Sequence, residues 1–202
     1  VKASPLPDCP LLLLQKDFLS AEEAESCFQQ LLNHHDWPAS DYEVFGRRFS
    51  LPRQQTWHAD EGIVYSYHNN LLTTRPWTPL LQRLREKVES STGSQFNAVL
   101  VNLYRNGDDF VGWHSDDEKE MGDEPVIASL SLGAERVFSY RRQSPRGPLA
   151  GSESGVSLPS GSLVLMQAPF QDEWEHAVLR NTSTTARINL TFRYVLPPPS
   201  EG

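Results

Sequence analysis

Apolar residues recur at two different periods along the 202-residue chain, and the switch between them marks out its elements. Ala24, Cys27, Phe28, Leu31 and Leu32 repeat at spacings of three and four, which lines one face of a helix. Ser20 followed by Glu23 is a capping-box signature and predicts where that helix starts. A second helix is predicted from Leu80, Leu81, Leu84 and Val88. Thr78 is its N-cap, Pro79 its first residue and Gly93 its C-terminal stop. Elsewhere the period falls towards two. The runs 98–104, 126–132, 136–141, 162–167 and 187–195 are β-branched or aromatic and bounded by Gly, Pro, Asp or Asn, so they read as strands. Pro5, Pro7, Pro10 and Pro197–Pro199 mark both ends as frayed tails. Two helices followed by many short strands predict a mostly β fold with flanking helices, a β-sandwich or jelly roll. The length suits one domain.

The run 187–194 carries the sharpest alternation. Side chains alternate across a strand, so Ile188, Leu190, Phe192 and Tyr194 share one face and Arg187, Asn189, Thr191 and Arg193 the other. A polar row also fits a solvated outer face. This one, however, has two guanidiniums and no acid, which suits a dicarboxylate gripped by paired hydrogen bonds. Asn102 and Tyr104 share a face of another predicted strand and offer further donors, or form part of a satisfied core. In Trp113-His114-Ser115-Asp116 an imidazole and a carboxylate two residues apart can reach one metal. His176, eleven residues before Arg187, supplies a third ligand. Two histidines and one carboxylate that leave positions open are the ligand set of non-haem iron(II) oxygenases. Taken alone, His-x-Asp fits a polar turn better than a metal site.

Charge and cysteine content narrow the setting. With 18 Lys and Arg against 26 Asp and Glu, the formal net charge of -8 opposes non-specific binding to a polyanion. Any nucleic-acid contact must come from local basic groups: Arg47 and Arg48, Arg53, or the cluster Arg141, Arg142 and Arg146. Cys9 and Cys27 show no metal-ligand spacing and read as reduced thiols of an intracellular protein. No apolar run is long enough for a membrane span. The start at Val1 rather than Met reads as a trimmed amino terminus.

In order and spacing, Asn102-Leu103-Tyr104, His114-Ser115-Asp116-Asp117, His176 and Arg187-x-Asn189-x-Thr191-x-Arg193 resemble the AlkB family of nucleic-acid dealkylating oxygenases. The likeness runs from about Val44 to Tyr194, and it is closest to the vertebrate DNA-repair members in 102–107 and 113–118. It implies a double-stranded β-helix as one oxygenase domain over 16–196. The first 15 residues would be a tail or edge segment, about 40–95 a substrate lid and helix, 96–196 the core and 197–202 a tail. It implies iron(II) on His114, Asp116 and His176. It also implies 2-oxoglutarate on Asn102, Tyr104, Arg187, Asn189, Thr191 and Arg193, with Arg187 on the distal carboxylate and Arg193 near the chelating end; O2 is the other co-substrate.

For substrate, the resemblance implies Asp117 and Glu118 beside the target base and Phe45 as a wedge that fills the gap of a flipped base. Trp57, His58, Tyr65, Ser66 and Tyr67 fall where the family stacks and gates the base. Arg47, Arg48, Arg53 and Arg142 would touch phosphates. The implied activity is oxidative demethylation of 1-methyladenine and 3-methylcytosine in single- or double-stranded DNA, the alternative being the same chemistry on RNA or a non-nucleic-acid substrate. A monomer away from membranes is expected, cytoplasmic in a bacterium or nuclear in a eukaryote.

Overall fold

A computed structural model describes residues 3–44, 47–63, 66–67, 70–71 and 73–196. The chain opens with β1 (Ser4–Leu6), β2 (Cys9–Gln15) and α1 (Ala21–His34). Next come β3 (Asp41–Val44), β4 (Arg47–Ser50), β5 (Gln54–Ala59), β6 (Ser66–Tyr67), β7 (Asn70–Leu71), β8 (Thr74–Arg75) and α2 (Pro79–Thr92). The carboxy-terminal half contains β9 (Ala98–Tyr104), β10 (Val111–His114), β11 (Ile127–Gly133), β12 (Arg136–Arg142), β13 (Ser154–Leu158), β14 (Leu163–Met166), α3 (Phe170–Glu173), β15 (Trp174–Val178) and β16 (Arg187–Arg193).

The strands form a major eight-stranded sheet, β1-β2-β14-β11-β16-β9-β5-β8, and a minor sheet, β10-β15-β12-β13. β3 pairs with β4, and β6 with β7, as separate hairpins. This is the jelly-roll arrangement expected, with one correction at the amino terminus. Residues predicted to fray are ordered as β1 and β2, and β2 pairs with β14 from Leu12↔Met166 to Gln15↔Leu163. Burial of Cys9 and Leu12 in the core between the sheets anchors the segment.

Both predicted helices form with their caps. Ser20 Oγ accepts from Glu23 N at 3.2 Å, and Thr78 Oγ1 accepts from Leu81 N at 3.3 Å. The Glu23 carboxylate instead accepts a 2.6 Å hydrogen bond from Lys87 of α2, which ties the two helices together. Both cover one face of the major sheet, where their apolar stripes meet Val99, Val101, Ala128, Leu130, Leu165, Ile188, Leu190 and Phe192 in the largest core cluster. Gly133 allows α1 to approach: its φ is 82°, and a Cβ there would lie 2.5 Å from the Phe28 ring. β16 ends at Arg193, so Tyr194, expected on the apolar face, is 45% exposed.

Candidate active site

The opposite face of the major sheet is polar at its centre although it is buried. Register decides which residues meet there. Arg187 pairs with Tyr104 and Asn189 with Asn102 across β16 and β9, while Asn189 pairs with Ser131 and Thr191 with Ser129 across β16 and β11. All seven side chains are less than 10% exposed. The minor sheet closes over them and brings His114 opposite His176. One cavity is therefore lined by Asn102, Tyr104, His114, Asp116, His176, Arg187, Asn189, Thr191 and Arg193. All nine residues expected to hold iron or 2-oxoglutarate surround the same space.

The His-Asp-His ligand atoms lie within 4.8 Å of one another. His114 Nδ1 is 2.8 Å from the Gly112 carbonyl, so it donates there and leaves Nε2 for the cavity. The Nε2 atoms of His114 and His176 lie 3.9 and 3.8 Å from Asp116 Oδ1 and Oδ2. Burial lowers the His176 pKa to about 3. The neighbouring His114 charge adds to this and Asp116 opposes it, so the ring is neutral at physiological pH, as a metal ligand must be. Burial raises the Asp116 pKa, but Arg193, His114 and His176 outweigh it and hold the carboxyl below its usual range. Arg193 Nη2 donates to Asp116 Oδ1 at 2.7 Å, which holds the carboxylate from one side.

Arg187 tests whether an anionic co-substrate fits. Its guanidinium is 2% exposed and donates from Nη2 to Ser131 Oγ at 2.9 Å. Nε and Nη1 are buried without a hydrogen-bond partner among the described residues. Burial pulls its pKa down, with Tyr104 opposing and Arg136 adding to the pull. A guanidinium stays protonated even so, and a buried cation with two unpaired donor nitrogens calls for an anion. Thr191 donates to Asn189 Oδ1, and Asn189 to Ser129 Oγ and the Leu130 carbonyl, so these two shape the wall while Arg187 waits for a partner.

The described residues match known proteins in the same region. The profile described as the 2OG-Fe(II) oxygenase superfamily covers residues 11–193. The chain belongs to this superfamily. Mouse "DNA oxidative demethylase ALKBH2" is 38% identical over 182 residues, 87% of this chain and 76% of that protein. Bovine "Alpha-ketoglutarate-dependent dioxygenase alkB homolog 3" is 38% identical over 188 residues, 90% of this chain and 65% of that protein. The structure of OsALKBH1 superposes with a TM-score of 0.62 at 19% identity, over 91% of this chain and 96% of that one, and supports the fold. Within the 2OG-Fe(II) oxygenases the chain is an AlkB-family dioxygenase similar to the DNA-repair members, with the cofactor of that class, iron(II), and its co-substrates, 2-oxoglutarate and O2.

The residues expected around substrate are placed less uniformly in this oxygenase. Phe45 and Tyr65 lie outside the described residues. Arg47 and Arg48 belong to β4, where Arg47 is exposed, and Ser66 and Tyr67 form β6. Arg53, expected at a phosphate, is instead 6% exposed and lines the cavity. Its Nε donates to Asn102 Oδ1 at 3.2 Å and its Nη1 to the Phe110 carbonyl. Trp57, expected to stack a base, is 0% exposed in a small core with Ala59, Ile63, Leu100 and Val195. His58 points the other way, towards α1: Nδ1 donates to the Pro76 carbonyl at 2.7 Å and the ring centroid is 5.3 Å from that of His35. Asp117 is exposed beside Asp116, and Glu118 is half-buried. Arg142 is exposed but engaged, with Glu173 Oε2 at 3.0 Å and its guanidinium over Trp174.

Sequence reasoning missed Gln55 and Ser129 in this cavity wall, and Ser131 as the partner of Arg187. The serines carried a readable signal, since Ile127, Ser129 and Ser131 alternate with Ala128, Leu130 and Leu132.

Proposed function

We propose that this dioxygenase demethylates N-alkylated bases in DNA, with 1-methyladenine and 3-methylcytosine as substrates. His114, Asp116 and His176 hold the iron, and Arg187 holds the distal carboxylate of 2-oxoglutarate. The observation that carries this reading is the pairing, in one cavity, of a His-Asp-His set with a buried arginine that has two unpaired donor nitrogens. The choice of DNA rests on relatives named as DNA oxidative demethylases.

Bound iron(II), with 2-oxoglutarate and O2, supplies the oxidising power that hydroxylates the N-methyl carbon. The protein does the rest by placement. Arg187 offers its unpaired donors to the co-substrate's carboxylate, fixing the co-substrate's direction. Arg193 balances the charge of Asp116. Phe138 and Phe170, with ring centroids 5.2 and 5.9 Å from that of His176, keep water from that side. The base must leave its stack to reach the cavity, because N1 of adenine and N3 of cytosine face the partner strand. Asp117, exposed beside Asp116, accepts from the exocyclic amine. The hydroxymethyl product then breaks its C–N bond, releasing formaldehyde and the unmodified base.

The test is incubation with iron(II), 2-oxoglutarate, ascorbate and an oligonucleotide carrying either lesion, followed by mass spectrometry. Methyl loss that needs 2-oxoglutarate and vanishes in Asp116→Ala is the expected result. Succinate without methyl loss would overturn the substrate, and methylated RNA would then be tried. Reduced thiols fit an intracellular setting, since Cys9 and Cys27 are both free and buried, and no helix among the described residues is long and apolar enough to cross a membrane.

A further inference from the structure

The ladder between β10 and β15 is short and irregular. It pairs Val111 with Val178, shifts register and ends at His114↔His176. Asp116 lies two residues beyond that end, so backbone pairing does not fix it. Side-chain amides replace the ladder. Gln171, on α3 and 2% exposed, accepts from Asp116 N through Oε1 at 2.9 Å. Its Nε2 faces Met166 Sδ at 3.5 Å, which sets the amide's direction. Ser115 Oγ donates to the Trp174 carbonyl at 2.9 Å. The exposed Gln143 donates from Nε2 to Ser115 Oγ and, at 3.1 Å, to the same carbonyl. These bonds join the turn after His114 to the segment that leads into His176.

We infer that Gln171, assisted by Gln143, is a positioning residue for the metal centre: it holds the Asp116 backbone so that all three ligands share one geometry before metal arrives. This rests on the metal assignment proposed above. Arg193 restrains the carboxylate from the side-chain end, and Gln171 restrains the same residue from the backbone end. Neither glutamine lines the cavity, so their effect runs through Asp116 rather than through contact with substrate. Outer partners that orient metal ligands typically contribute 10–100-fold to metal affinity, and ligands left loose by about 1 Å are a common cause of weak sites.

The experiment measures Mn(II), a redox-stable stand-in for iron(II), binding to the full chain by the loss of the free-ion EPR signal, with the melting temperature of each metal-free variant alongside. Gln171→Leu is expected to weaken Mn(II) by roughly 10-fold or more, and Gln143→Ala by a smaller factor. Val88→Ala, a buried change in α2 far from the metal, should lower the melting temperature and leave Mn(II) affinity unchanged. Wild-type affinity in Gln171→Leu would overturn the inference, as would an equal loss in Val88→Ala. If Gln171→Leu does not fold, Gln143→Ala decides: its exposed side chain is dispensable for folding, and unchanged affinity there counts against the inference. A wild-type protein that binds no Mn(II) would instead bring down the metal assignment itself.

Discussion

The two faces of the major sheet are built from the same strands and serve opposite ends. On β16, Ile188, Leu190 and Phe192 turn to the helices and are fully buried in hydrocarbon. Arg187, Asn189, Thr191 and Arg193 turn to the cavity and are almost as buried, among polar atoms and charge. One face gains free energy by leaving water. The other gives some back, because a buried cation without a carboxylate is costly. Stability and chemistry are therefore separable by single substitutions on one strand, although the side chains concerned are neighbours in sequence.

Leu190→Ala should separate them most. It opens a cavity on the helix side and should lower unfolding free energy by about 2–5 kcal/mol, while the 2-oxoglutarate KM of the remaining folded protein stays at the wild-type value. Urea unfolding and steady-state kinetics test both halves. An equally large change in KM would mean that the two faces are not independent. Arg187→Met is the converse. Loss of the charged clamp should cost about 2–4 kcal/mol of co-substrate binding, roughly 30–1000-fold in KM. The metal-free protein should be as stable as wild type or more so, since an unpaired buried cation is gone. A large drop in its melting temperature would show that Arg187 supports the fold as well.

The helix side has a weakness of its own in acid. Burial lowers the pKa of His35 to about 4, with His58 and Arg75 adding to the effect and Asp36 opposing it. Burial lowers His58 too, and Arg75 adds to this against the Pro76 hydrogen bond. Both folded values lie below the unfolded one near 6.5, so between them the unfolded chain binds more protons. Stability is complete above that pH and should fall by about 1–3 kcal/mol as pH drops from 6.5 towards 5. Urea unfolding across that range checks it, and a flat profile would mean that the pair takes up protons as readily in the fold as in the unfolded chain. Glu23→Ala should have the smallest effect. The Lys87 pair it breaks is part-exposed on both sides and should be worth about 0–1 kcal/mol. A difference above that range in urea unfolding would make the pair a structural tie between α1 and α2.

The strand that separates the two faces was the most legible part of the sequence. Its period of two is unbroken and its polar positions carry charge, so face and role could both be read. The helices were legible for a similar reason: Ser20, Thr78 and Gly93 mark their ends by local chemistry. β5 was not, because it is covered on both sides. When Gln55, Thr56, Trp57 and His58 are all buried, polarity no longer tells which way each side chain turns, and the structure sets Trp57 in a small core and His58 on the Pro76 carbonyl. The family likeness puts Arg53 at a phosphate, whereas Asn102 and the Phe110 carbonyl draw it inward. Gln171 left no periodic trace, since it sits on a four-residue helix and acts through one hydrogen bond made across 55 positions.

The amino-terminal prolines also have a use that their composition hides. β1 is an outermost strand of the major sheet and pairs through Pro5↔Leu13, with Pro7 following directly. An exposed sheet edge is a template on which another chain can add a strand. A proline has no N–H to offer such a chain. At the other edge, β8 is two residues long and runs into Pro76. Both margins of the sheet are thus poor templates for a second copy, so an enzyme that keeps a wide, buried sheet for its chemistry also keeps that sheet from growing.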